Sequence, residues 1–197
     1  MPTPTDPSGA SGGAHLSIDS LPRITTPEEA ERYVEEAAVR YETEAFKASH
    51  ATDPKDQRSL QNRTLMFLGR AVAAAEVAFR MGLLDFSAFR AFHLRVTNKT
   101  PPEAMAKRLG RLDTPDSATI YVEQLIRQLK ERRAAAVAKA GMSTQALVMA
   151  YRLWLTHLGH TLESAGLLTR AGLLTSSAFE AFQEAALSTL IPSVREA

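Results

Sequence analysis

His157-x-x-His160-x-x-Glu163 is the pattern in this chain best suited to holding a metal ion. Residues three apart on a helix are neighbours, so two imidazoles and a carboxylate can converge on a divalent cation. The competing reading packs His157 inside and leaves His160 in water. The chain repeats internally, and Phe67, Arg70 and Ala73 stand at the matching places, which favours the competing reading. No metal and no cofactor are expected; His157 and His160 are the candidates if a metal is held.

Other catalytic chemistry lacks its residues. With no cysteine, a thiolate nucleophile, a thiolate metal site and a disulfide are all excluded. No Gly-x-Ser-x-Gly elbow is present, and Ser87 and Ser177 are placed to cap helices. Gly9, Gly12 and Gly13 lie in a tail and not between a strand and a helix, so no phosphate loop is formed. Glu76 is a lone carboxylate near an apolar stripe, read as lying at the stripe's edge in water. Arg80 and Arg170 each precede a stop glycine by two residues, where a cation meets the negative end of the helix dipole and its free carbonyls.

Phosphate binding along a nucleic-acid backbone is the remaining site chemistry. Lys107, Arg108, Arg111, Arg127, Lys130, Arg132, Arg133 and Lys139 form a basic stretch of the kind such binding requires. No aromatic residue lies between Tyr121 and Tyr151 to stack on bases, so a solvated helix face is the preferred reading.

These residues must be positioned by a chain that says nearly the same thing twice. Leu65-x-x-Leu68-Gly69 and Arg80-x-Gly82-Leu83-Leu84-x-x-Ser87-Ala88-Phe89-x-Ala91-Phe92 recur as Leu155-x-x-Leu158-Gly159 and Arg170-x-Gly172-Leu173-Leu174-x-x-Ser177-Ala178-Phe179-x-Ala181-Phe182, 90 positions later. Thr26-Pro27, Ala30 and Tyr33-Val34-Glu35 recur as Thr114-Pro115, Ala118 and Tyr121-Val122-Glu123, 88 positions later. The parts that repeat are caps, stops and apolar core positions, the signature of a retained scaffold.

Each copy reads as three helices. The first runs from Pro27 to about His50 behind the cap Thr26, and its counterpart starts behind Thr114. The second runs from Pro54 to about Met81 behind Asp53, with a seam of Leu65, Leu68, Val72, Ala75 and Phe79; its counterpart starts behind Ser143. Gly82 and Gly172 stop these helices and are expected in the left-handed region. The third starts behind Asp85 or Thr175, and Phe89, Phe92, Phe179 and Phe182 are expected in the core with Leu68 and Leu158. A short helix from Glu103 to Leu109 joins the copies. No strand pattern is found. The expected fold is all-α, a helical bundle of two tandem three-helix repeats, residues 26–112 and 113–197, sharing one core and related by a pseudo-two-fold.

Residues 1–25 are rich in Ser, Thr, Pro and Gly and read as a disordered tail, with Leu16, Ile18, Leu21 and Ile24 able to dock its last part locally. No apolar run reaches the roughly 20 residues that span a bilayer, and the N-terminus lacks the pattern of a secretory signal. No membrane partner is expected, and the location is read as cytoplasmic or, by a route that needs no signal peptide, secreted. Residues 1–56 carry a net charge of −6 and the rest +7, with acids gathered on the first helix. That asymmetry suits either an oppositely charged partner or two helices of this chain facing each other.

The functional expectation is a non-enzymatic helical scaffold or adaptor that binds another protein, itself included. An Ala- and Arg-rich composition is associated with GC-rich bacterial genomes, and the tail suits a secreted bacterial effector. The alternative is a nucleic-acid-binding subunit using Lys107 to Lys139. Ala71, Ala73, Ala74, Ala75 and Ala78 cover most of the second helix's circumference, and Ala134-Ala135-Ala136-Val137-Ala138 is a similar stretch. This predicts that one of these two surfaces packs against a second chain in a two-fold dimer, unless both are consumed inside a six-helix body.

Overall fold

Thr26 opens the first helix with a reciprocal cap. Its hydroxyl accepts from the Glu29 N–H at 3.2 Å, and the Glu29 carboxylate accepts from the Thr26 N–H at 3.1 Å. The matching start at Thr114 accepts from the Ser117 N–H at 3.1 Å, with a serine in place of the glutamate. Asp53, Asp85 and Thr175 cap three further helices through their side chains, as expected. The computed structural model describes residues 18–139 and 144–189. Ser143 and residues 1–17 lie outside that range.

The described residues form seven α-helices and no strand: α1 (Pro27–His50), α2 (Pro54–Arg80), α3 (Phe86–Thr97), α4 (Glu103–Arg108), α5 (Pro115–Lys139), α6 (Thr144–Arg170) and α7 (Ser176–Leu187). A single 3-10 turn precedes them at Ile18–Ser20. Gly82 and Gly172 both adopt φ +78°, and the pattern of bonds around them is the same. Leu83 N–H bonds the Ala78 carbonyl and Leu173 N–H the Leu168 carbonyl, each at 2.9 Å, the long bond of a Schellman stop. α3 ends differently, on Asn98 in the left-handed region at φ 54°.

α2 and α6 cross at the centre of the molecule. α1 lies along α2 and α5 along α6, while α3 covers α1 and α2 and α7 covers α5 and α6. The main core gathers Val34, Val77, Phe89, Val122, Leu167 and Leu168 from both halves of the chain. A second cluster, around Leu129, Trp154, Leu158 and Ala186, lies among α5, α6 and α7.

The structure departs from several of these expectations. Phe89 and Leu158 are fully buried, but Phe92, Phe179, Phe182 and Leu68 are half-buried. α3 and α7 are short outer helices that pack on one side only. Of the two alanine-rich surfaces, the alanines of α2 are all buried inside the fold, while Ala134, Ala135, Val137 and Ala138 of α5 are exposed. α2 is flanked by α1, α3 and α6, so small residues are needed around most of its circumference. The five seam residues of α2 therefore divide among separate clusters: Leu65 packs near Trp154, Leu68 and Val72 near Val96, and Ala75 and Phe79 in the main core. Ile24, one of the residues expected to dock the end of the tail, is buried, and its N–H bonds the Arg170 carbonyl at 3.2 Å, whereas Leu21 is exposed.

Candidate functional site

The His157, His160, Glu163 series does not converge. Three residues on a helix advance by 300°, so each successive side chain is displaced by about 60° and Glu163 lies about 120° from His157. His157 faces α5 and its Nε2 donates to the Leu125 carbonyl at 3.3 Å. Burial, with the nearby His160 and Arg132, holds its pKa down to about 4, so it is neutral near pH 7. His160 points to Tyr121, with 3.0 Å between Nε2 and the phenol oxygen. Glu163 turns towards α1, where it accepts from the Tyr33 hydroxyl. Among the described residues, no group of three or more His, Asp or Glu side chains is arranged to hold a metal ion.

What the structure brings together instead is a pair of tyrosine–arginine–carboxylate clusters. In one, the Tyr121 hydroxyl donates to Glu76 Oε1 at 3.1 Å, which leaves its oxygen to accept from His160 Nε2–H. Arg80 Nη1 reaches the same Glu76 oxygen at 3.4 Å, and the guanidinium lies over the Tyr121 ring, 4.1 Å from its centre. Arg80 Nε donates to the Gly110 carbonyl at 2.8 Å, while the Leu112 N–H donates to the Arg80 carbonyl at 3.0 Å. Arg80 thus fastens the segment entering α5 to the end of α2.

The second cluster fastens the segment entering α1 to the end of α6. Arg170 lies over the Tyr33 ring at 4.5 Å, and its Nε donates to the Pro22 carbonyl at 2.8 Å. Pro22, Ile24 and Tyr33 precede Gly110, Leu112 and Tyr121 by 88, and Arg80 precedes Arg170 by 90. The residues of the two fastenings are thus related by the offsets of 88 and 90 at which the sequence repeats. The carboxylates are not. Glu76 has Gly166 as its counterpart, and Glu163 has Ala73.

Burial sets the electrostatics. It raises the Tyr33 and Tyr121 hydroxyls well above their usual range, with the facing carboxylates adding to the effect. Burial also raises Glu163, against the pull of the Tyr33 hydroxyl and of Arg70, Arg40 and Arg170, and it lowers His160. Glu76, read from sequence as a solvated edge residue, is turned inward and partnered. Arg80 and Arg170 were expected to meet the free carbonyls of their own helices; they reach the incoming segment instead. A cavity of about 20 Å³ adjoins Tyr33, Arg70 and Glu163, room for about one water and no substrate.

The basic residues do not form one strip. Lys107, Arg108, Arg111, Arg127, Lys130 and Arg132 are exposed, while Arg133 is half-buried; the Lys139 side chain lies outside the described residues. Along α5, Arg132 projects about 140° from Arg127 and Arg133 about 120° the other way. Part of the charge asymmetry is spent internally, since Arg95 of α3 bridges Glu35 at 2.7 Å and Glu42 at 2.6 Å on α1. Glu44, counted with that acidic face, is buried between Lys47 at 2.9 Å and Arg63 at 3.2 Å.

Apolar side chains are exposed near the α5–α6 connection. Met149 and Leu153, one turn apart on α6, are each 53% exposed, and Val148 and Val137 are exposed as well. Among the described residues no helix is long and apolar enough to cross a membrane. The chain matches no family model, no curated protein and no solved structure.

Proposed function

We propose that this chain is a non-enzymatic helical scaffold that binds another protein. In this reading it is a bundle of two three-helix repeats, residues 26–112 and 113–197, related by a pseudo-two-fold near the crossing of α2 and α6. The matched fastenings of Arg80 and Arg170 support the repeat. The charged groups inside are occupied in holding helices together, which leaves the outer surface to carry function.

The observation that carries the proposal is the exposed apolar pair Met149 and Leu153, which share one face at the start of α6, with Val148 exposed at its side. Singly scattered exposed apolar residues are ordinary, but Met149 and Leu153 adjoin on one face, and it is a contiguous apolar patch that supports an interaction surface. Quantitative affinity capture with the wild type and with Met149→Glu/Leu153→Glu tests it. The expected result is a partner lost from the double variant while its melting temperature is unchanged. Identical capture by both proteins would refute the assignment of this face. Sedimentation of the same pair tests the homodimer form of the proposal, and a mobility shift that weakens steeply with salt would instead favour nucleic acid.

A further inference from the structure

Where the segment before α1 meets the end of α6, a groove of about 350 Å³ opens to solvent. Leu21 and Arg23 line it from the segment, Arg32, Tyr33 and Arg40 from α1, and Arg170 from α6. Two carboxylates also face it. Glu29 is engaged by the N–H groups of Thr25 and Thr26, at 2.8 and 3.1 Å, and Glu36 pairs with Arg40 at 3.6 Å. Arg170 is held by Pro22 and Tyr33. Among the described residues, Arg23 and Arg32 make no ion pair and no side-chain hydrogen bond. Four guanidiniums against two carboxylates leave the groove with a net charge of +2.

The second half of the chain shows which of these residues the fold requires. Arg23, Tyr33 and Arg170 have Arg111, Tyr121 and Arg80 as counterparts. Arg32, Glu36 and Arg40 have Ile120, Gln124 and Gln128. The fastening is thus common to both halves, and the additional arginines of α1 belong to one. Positions 32, 36 and 40 are one turn apart on a single face, so Arg32 and Arg40 are aimed along the same groove.

We propose that this groove binds a small phosphomonoester. Arg32, Arg40 and Arg23 take the oxyanion, and Leu21 and the Tyr33 edge take the organic part. Planar guanidiniums match phosphate oxygens two at a time, and a dianion suits a net charge of +2 better than a single carboxylate does. The volume is at the small end of ligand sites. This site stands independently of the protein-binding face at the start of α6.

Calorimetric titration with phenyl phosphate at constant ionic strength tests the proposal. The proteins are the wild type, the double variant Arg32→Ile/Arg40→Gln, which carries the second half's residues, and Arg152→Gln as an exposed arginine elsewhere. Saturable binding is expected to the wild type and to Arg152→Gln, and at least about tenfold weaker binding to the double variant. The unliganded melting temperature of that variant should stay within about 2 °C of wild type. If it does not fold, Arg32→Gln alone is expected to weaken binding. Absence of saturable binding to the wild type, or equal affinity in the variants, would overturn the site. Benzoate binding as tightly as phenyl phosphate would overturn the assignment to a phosphate dianion.

Discussion

At Gly69 and Gly159 the backbones of α2 and α6 come into close approach. A Cβ on Gly69 would lie 1.9 Å from the Thr156 carbonyl oxygen, and one on Gly159 would lie 2.1 Å from the Met66 oxygen. Both obstacles are backbone, so no rotamer change relieves them. Alanine in a helix interior is favoured over glycine by about 1 kcal/mol, and overpacking costs about 1–3 kcal/mol or more. Because the clash is with backbone, the cost lies at the upper end, and Gly159→Ala is expected to lose about 2 kcal/mol or more in urea unfolding. Gly166→Ala in the same helix is the control: its Cβ would meet Phe179 at 3.7 Å, an ordinary contact, and it should gain up to about 1 kcal/mol. A stabilised Gly159→Ala would show that the helices run farther apart.

Ile24 and Leu112 are a matched pair, 2% and 1% exposed, each donating its N–H to the carbonyl of the arginine that fastens it. Truncating either to alanine should cost about 2–4 kcal/mol, because each plugs the same core from an incoming segment. If the two halves are a true repeat, the losses should agree to within about 1 kcal/mol. Chemical denaturation of the two single variants measures this. An Ile24→Ala protein as stable as wild type would mean the first segment is not docked.

The helix starts are legible in the sequence because caps are local: Thr26, Asp53, Asp85 and Thr175 act on residues two or three positions away. The stops at Gly82 and Gly172 are legible for the same reason. The fastening clusters are only half legible. Tyr33 and Tyr121, Arg80 and Arg170 all repeat, yet Tyr33 pairs with Arg170 and Tyr121 with Arg80, across the halves rather than within them. The carboxylates are hidden altogether, since Glu76 and Glu163 serve equivalent tyrosines from non-equivalent positions. The alanines of α2 misled for a further reason. An alanine-covered circumference looks the same whether the neighbours are helices of one chain or of two.

Phe89 and Phe182 separate buried from half-buried aromatics on the two outer helices. Phe89 is fully buried and stacks on Phe79 with ring centres 4.9 Å apart. Phe89→Ala should cost about 3–5 kcal/mol. Phe182 rests against the main core from a partly exposed position, so Phe182→Ala should cost no more than about 2 kcal/mol. Equal losses would mean that α7 is as deeply packed as α3.

His157 gives the fold a dependence on pH whose sign can be stated. Its pKa is about 4 in the folded protein against an ordinary 6.5, so between those values the unfolded chain binds a proton that the folded chain does not. The stability contributed by neutral His157 is therefore complete above about pH 6.5, is lost as the pH falls towards about 4, and changes no further below that. His160, also lowered by burial, acts in the same direction, while Glu163, raised by burial, acts in the opposite one. A single pH profile mixes all three, so the difference between proteins is the useful quantity. His157→Phe places the first half's own residue, Phe67, at this position, and His157→Gln keeps a donor for the Leu125 carbonyl without a titrating group. Between pH 6.5 and 4 each variant should lose about 1–2 kcal/mol less than wild type in urea unfolding. Parallel curves for wild type and both variants would show that His157 titrates in water and is not packed against α5.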